Sequence, residues 1–293
     1  MEKKKSSLYR LLRGFMLDKK EIVTSRQNPT VKRICSLLEK KNRRGEGLFR
    51  FDGVKLFSEA LEAGLSIRYL VLRENISPEI EARVSAAIEG GVLAPEAVLL
   101  VSEGVFDKLS EERSPEGVIT VAQLLTDRHR AINGAAEYSI PAGERILIAE
   151  SLRDPGNLGT VIRSCAALGI GRLVLSDDCA DIYNPKTVRA AMGGLFRLNI
   201  DIVSASELGK AIISLRKGGR RIYATALHSE ALAIGSFTLR AGDCFVIGNE
   251  GHGLSQDTIN ACDACALIPM SESSESLNAA AAAAICIWET VRG

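Results

Sequence analysis

Short, unbroken apolar runs recur through the second half of the chain, at 146–149, 244–247 and 264–268, and each ends in a polar turn or a helix start. Runs of four or five apolar residues bounded by turn signals read as strands buried on both faces, hence a largely parallel sheet. From residue 144 the pattern predicts strands at 145–150, 172–176, 198–203, 221–226, 244–248 and 265–269. Helices are predicted between them, at 157–168, 185–195, 205–217, 255–261 and 276–291. The first part of the chain alternates too, more weakly. A helix begins at Asn28-Pro29 with an apolar stripe of Val31, Ile34, Leu37 and Leu38. Strands at 48–51, 69–72, 98–101 and 118–122 are interleaved with helices at 54–63, at 78–88 and around Val105, Phe106 and Leu109. Both parts are therefore read as α/β.

This pattern divides the chain into a basic extension (1–20), a small α/β domain (21–125), a polar linker (126–143) and a larger α/β domain (144–293). A length of 293 residues suits two domains. The formal charge of +1 hides an asymmetry, since residues 1–50 hold 15 Lys/Arg against 5 Asp/Glu. A basic amino end suits a polyanion such as RNA, although a solvated tail has the same composition. Seven cysteines, an odd number scattered through the chain, indicate free thiols in a reducing compartment. Cys262 and Cys265 have half the spacing of a metal motif and no second pair, so no metal is expected. No apolar run reaches membrane-spanning length, and residues 3–5 are not followed by a signal-peptide core, so the expected location is cytoplasmic.

Three polar blocks follow the apolar runs, where open α/β sheets bind ligands. In the first, Asp154 to Gly159 turns into a helix carrying Arg163. Its glycines allow close backbone approach to a ligand, and free amides at a helix start favour anions. Taken singly, Asn157 reads as a helix cap and Arg163 as a surface cation. The second block, Gly248-Asn249-Glu250-Gly251-His252-Gly253, holds more glycine than a tight turn needs. A carboxylate there requires donors, so Glu250 is expected to face a cation or amides. In the third, Ser276-Leu277-Asn278 opens the last helix after Ile268-Pro269-Met270; Ser276 alone reads as its cap. Trp288 on that helix reads as core or dimer contact. Neither a dinucleotide fingerprint nor a phosphate-binding lysine loop is present.

In order, the three blocks resemble the SpoU (TrmH-like) class of SPOUT methyltransferases, whose motifs look like N-x-G-x-x-x-R, G-N-E-G-x-G, and I-P-M followed by S-L-N. Residues 189–197 (RAAMGGLFR) are similar to the segment between the first two motifs, and 22–32 with 49–61 are similar to the family's ribosomal-protein-like RNA-binding domain. The resemblance implies a carboxyl-terminal domain with a trefoil knot, dimerising so that the site is completed across the interface. It implies S-adenosyl-L-methionine as methyl donor and an RNA ribose 2′-hydroxyl as acceptor, with no action on DNA. Arg163, Asn157, Glu250, Ser276 and Asn278 match the catalytic set; Thr225, Gly248, Asn249, Gly251, Ile268 and Leu277 match cofactor-binding positions. Residues 271–275 are more acidic than the usual turn, Gly194 stands where alanine is expected, and Asn199 where proline often sits. The two-domain layout favours ribosomal over transfer RNA. Rival readings are a non-catalytic RNA-binding protein of this fold in ribosome assembly, and a methyltransferase for another acceptor.

Overall fold

The computed structural model describes residues 21–226, 228, 230–249, 251–271 and 276–292. The basic extension, Glu250 and most of the acidic turn lie outside them. The chain divides after Leu124 into two units.

In the first unit, α1 (Pro29–Ser36) starts where Asn28 Oδ1 accepts the N–H groups of Thr30 and Val31 at 2.9 and 3.4 Å. Next come α2 (Lys40–Glu46), β1 (Leu48–Asp52), α3 (Val54–Glu62) and β2 (Ile67–Arg73). The unit is completed by α4 (Pro78–Glu89), β3 (Val98–Val101), α5 (Glu103–Leu109) and β4 (Val118–Gln123). The sheet order is β1-β4-β2-β3, with only the β2–β3 pair parallel. Alternation along β2 sends Val71 to the face covered by α1 and α5, and Leu70 and Leu72 to the face covered by α3 and α4. The basic run 40–44 is helical, and not all of it is free for a polyanion. Arg43 is buried and donates to the carbonyls of Leu37 and Leu38 at 2.7 and 2.5 Å, closing the end of α1.

The second unit holds an eight-stranded sheet in which every neighbouring pair is parallel. Its elements are β5 (His129–Ile132), β6 (Ile146–Ala149), α6 (Pro155–Leu168), β7 (Arg172–Ser176), α7 (Pro185–Ala191) and β8 (Asn199–Val203). They continue with α8 (Leu208–Lys217), β9 (Ile222–Thr225), β10 (Leu232–Ala233) and β11 (Cys244–Ile247). The last are α9 (Gln256–Ala261), β12 (Ala264–Leu267) and α10 (Ala279–Arg292). The order β10-β12-β9-β11-β6-β7-β8-β5 reverses direction at β6. Ile146, Ile148, Ala224, Cys244 and Val246 pack under α8 and α9 on one face, while α10 packs on α6 and β11. Each fully buried Val, Ile, Leu or Phe contributes about 1.5–3 kcal/mol relative to exposure. No described helix is long and apolar enough to cross a membrane.

Residues 126–143 are not wholly a linker. His129–Ile132 adds β5 to the sheet edge, paired in register with 200–203. Its polar sequence hides the strand because its support is remote in sequence. Asp201, fully buried, accepts from Arg130 Nε and Nη2 (3.0 and 3.1 Å), Tyr138 Oη (2.7 Å) and Arg172 Nη1 (3.0 Å). His129 Nδ1 lies 2.6 Å from Tyr183 Oη, and Nε2 lies 3.2 Å from the Leu195 carbonyl. Burial pushes this imidazole down from 6.5 to about 4. The unfolded chain thus binds a proton near 6.5 that the folded chain refuses until about 4. Stability is therefore intact above pH 6.5 and falls as pH drops towards 4, by up to about 3 kcal/mol. The thermal midpoint of the wild type is expected to fall more steeply across that window than that of His129→Gln; parallel curves would remove His129 as the cause.

Candidate active site

The carboxyl ends of β6, β11, β9 and β12 lie side by side, since Ile247 pairs with Ala149, Val246 with Ala224, and Ala266 with Thr225. Every polar block emerges at or beside this edge. A cavity of about 400 Å³ opens there, lined by Thr225, Gly248, Asn249, Ile268, Ser276 and Leu277, with Ile247, Leu254, Ile259 and Met270 supplying apolar walls. That size falls within the roughly 300–1,000 Å³ of small-ligand sites.

The loop after β11 is shaped by its own residues. Asn249 and Gly253 exchange backbone hydrogen bonds of 3.1 and 2.9 Å, folding the loop onto itself. A Cβ at Gly248 would lie 2.5 Å from the Gly253 carbonyl carbon, so only glycine fits. Asn249 Oδ1 accepts from the Gly251 and His252 N–H groups (2.8 and 3.2 Å), while its Nδ2 donates to the Ser151 carbonyl (2.9 Å). Gly251 does not line the cavity; its N–H is committed to Asn249. The Glu250 assignment lies outside the described residues. Below the loop, buried Glu150 accepts from the Ser255 N–H and hydroxyl and from the Thr258 hydroxyl, fixing the start of α9 against the end of β6.

Two cap assignments differ from the sequence reading. Asp154, not Asn157, caps α6, its Oδ1 accepting the Asn157 N–H at 2.8 Å. Asp-Pro at the start of a helix signals this, because Pro155 occupies the first turn. The Asn157 N–H, then Lys186 at 3.1 Å, hold the Asp154 carboxyl below its ordinary value. Likewise Asn278, not Ser276, caps α10, with Oδ1 accepting from Ala280 and Ala281 N–H at 2.9 and 3.3 Å. The helix accordingly begins at Ala279. Both asparagine side chains then meet: Asn278 Nδ2 donates to Asn157 Oδ1 at 3.0 Å, across 121 residues of sequence. The first and third blocks are joined by this bond, and the second and third share the cavity.

Gly159 serves helix packing, not ligand approach. A Cβ there would lie 2.5 Å from the Thr187 carbonyl oxygen and 2.6 Å from Ala190 Cβ on α7. Gly194 approaches the other end of α6, where a Cβ would be 3.3 Å from Arg163 Cα. Arg163 itself is exposed, and its side chain has no hydrogen bond or ion pair among the described residues. Among them, no cluster of His, Cys, Asp and Glu is arranged to hold a metal. Cys262 and Cys265 are free thiols, and burial pushes Cys262 up to about 12.

Residues 144–288 match the SpoU rRNA Methylase family, and residues 28–120 match an MRM3-like substrate binding domain. The 23S rRNA (uridine(2479)-2′-O)-methyltransferase of Streptomyces viridochromogenes is 32% identical, over 92% of this chain and 91% of the relative. The 23S rRNA (guanosine(2553)-2′-O)-methyltransferase RlmP of Bacillus subtilis is 28% identical, over 91% and 97%. Among solved structures, the AdoMet-bound rRNA methyltransferase from Sinorhizobium meliloti superposes with a TM-score of 0.77 at 28% identity, covering 93% of this chain and 97% of its own. The chain belongs to the SpoU rRNA methylase family, with an MRM3-like substrate-binding domain ahead of the methylase domain.

Proposed function

We propose that this protein transfers a methyl group from S-adenosylmethionine to a ribose 2′-hydroxyl of RNA, ribosomal RNA in preference to transfer RNA. The observation carrying this reading is the cavity walled by Gly248, Asn249, Ser276 and Leu277, whose next residue, Asn278, is bonded to Asn157. Its apolar walls suit a nucleoside, and Thr225, Gly248, Asn249, Ile268 and Leu277 would hold the donor. When bound, S-adenosylmethionine supplies an electrophilic sulfonium methyl. The preference for ribosomal RNA rests on the two relatives matched over nearly their full length, both named for 23S rRNA. One is named for guanosine and the other for uridine, both at the 2′-oxygen, so the reading commits to the ribose and to no particular base.

A ribose hydroxyl is a weak nucleophile at neutral pH, so positioning and proton removal must lower the barrier. The Arg163 guanidinium, with a substrate phosphate, lowers the hydroxyl pKa and relays its proton to an oxygen of that phosphate. Asn157, Ser276 and Asn278 orient the hydroxyl and the guanidinium, and Glu250 holds that network. The first domain and the basic amino end supply phosphate contacts, which makes RNA binding sensitive to salt. Dependence on the 2′-hydroxyl excludes DNA. The test is transfer of labelled methyl to ribosomal RNA, transfer RNA and DNA, followed by nucleoside analysis. A 2′-O-methylnucleoside from ribosomal RNA supports the reading; donor binding without RNA methylation would favour the non-catalytic alternative.

A homodimer through the carboxyl-terminal domain belongs to the same reading. Ala281, Ile285 and Trp288 form one exposed stripe on α10, with Trp288 57% and Ile285 38% accessible. A contiguous apolar stripe on a surface helix marks a contact face. Trp288→Glu is expected to convert the dimer to monomer in sedimentation and to cut turnover, because the site is completed across the interface. A wild type that sediments as a monomer removes this part of the reading.

A further inference from the structure

We propose that Asp178, just beyond β7, is a positioning residue for the cofactor loop: its carboxylate holds Ser151 in a left-handed conformation and so fixes the carbonyl that receives the Asn249 amide. Ser151 follows β6 and has φ of 55°, one of three non-glycine residues with positive φ among those described. Such a conformation costs an L-residue about 1–2 kcal/mol and persists only when neighbours impose it. Those neighbours are identifiable. The Ser151 hydroxyl donates to Asp178 Oδ2 at 2.5 Å, and the Ser151 N–H donates to Ser176 Oγ at 2.8 Å. Ser176 Oγ in turn donates to Asp178 Oδ1 at 2.6 Å, so the carboxylate holds both ends of the arrangement. Arg153 adds a contact at 3.3 Å. Burial works to raise the Asp178 pKa, and the hydrogen bonds from Ser151, Ser176 and Arg153 outweigh it, leaving the group below its ordinary value.

The left-handed turn aims the Ser151 carbonyl at Asn249 Nδ2, 2.9 Å away. With Nδ2 held, Asn249 Oδ1 faces the Gly251 and His252 amides, and the loop lining the cavity keeps its fold. The chain of contacts therefore runs from Asp178 through Ser151 and Asn249 to the cavity wall. Asp178 itself does not line the cavity and touches no reacting group. Serine rather than glycine at 151 is explained by this arrangement. Glycine would accept the φ without help, whereas serine accepts it only with its hydroxyl anchored, which makes the loop depend on Asp178.

The inference rests on the reading of the cavity as the S-adenosylmethionine site, and two measurements on the full-length protein separate them. Backbone amide exchange of 249–254 reads the loop; calorimetric titration with S-adenosylmethionine reads the cavity. Asp178→Ala is expected to accelerate exchange at Gly251 and His252 and to weaken donor binding about tenfold, the effect of losing a charge-assisted hydrogen bond. Turnover at saturating donor should change much less, so the effect appears in KM rather than kcat. Ser151→Gly should have a smaller effect, and Ser151→Gly/Asp178→Ala should be no worse than Ser151→Gly alone, since glycine no longer needs the anchor. Additive losses in the double variant, or unchanged loop exchange in Asp178→Ala, overturn the proposal. Should the alanine variant not fold, Asp178→Asn, which keeps the side-chain size but loses the charge and one of the two acceptor oxygens, is expected to shift loop exchange and donor binding in the same direction by less, and unchanged exchange in it likewise overturns the proposal. A wild type that binds no S-adenosylmethionine defeats the reading of the cavity, while the exchange data still judge Asp178.

Discussion

Arg163→Ala is expected to lower methyl transfer by about a thousandfold, within the range for loss of a proton-transfer group, while S-adenosylmethionine binding stays within about twofold of wild type. The structure makes the two effects separable. Arg163 lies on the exposed side of α6, its side chain has no partner among the described residues, and it does not line the cavity. Removing it leaves no buried donor unsatisfied and no void, so the thermal midpoint should hold. Arg163→Lys should recover only a small part of the loss. Lysine keeps the charge but lacks the planar fork that can hold a phosphate and a hydroxyl oxygen together. Turnover unchanged in the alanine variant would take the arginine out of the mechanism and shift the proton relay to another group.

The strand ends around this cavity are legible in the sequence. Four-residue apolar runs ending in polar blocks placed β6 and β11 within a residue or two, because a strand buried on both faces needs no help from alternation. The polar blocks are legible for the same reason, since each follows such a run, and the structure brings them to one sheet edge. What could not be read was which residue does the structural work within each block. Asp154 and Asn278 hold the caps, and Asn157 is thereby released to meet Asn278, a contact spanning 121 residues that no local spacing predicts. Strand β5 gives no local signal, because His129-Arg130-Ala131-Ile132 reads as a polar connection. Its stability comes from Asp201, a buried carboxylate inside a run otherwise read as apolar strand. Two-residue β10 carries no signal at all. The positive φ of Ser151 leaves no trace in composition.

Gly159→Val is expected to abolish activity and to cost about 3 kcal/mol or more of stability, at the upper end of overpacking penalties. Against a total of roughly 5–15 kcal/mol this is a large fraction. Glycine in the middle of a helix is itself unfavourable by about 1 kcal/mol relative to alanine, so its presence in α6 must be offset by something that a side chain would destroy. That something is the approach of α7. The atoms a Cβ would meet, at 2.5 and 2.6 Å, are a backbone carbonyl oxygen and Ala190 Cβ, neither of which can swing aside. The helices would have to part, and α6 carries both Asn157 and Arg163. Even Gly159→Ala should therefore weaken the protein, by a net of about 1–2 kcal/mol once the helix-propensity gain is set against the clash. Valine should additionally displace Asn157 from Asn278 and so uncouple the first block from the third. Thermal melting and methyl transfer measured on the two variants test this in sequence. If Gly159→Ala proves as stable as wild type, the contact between the helices is soft, and glycine at this position would have to be explained by substrate approach instead.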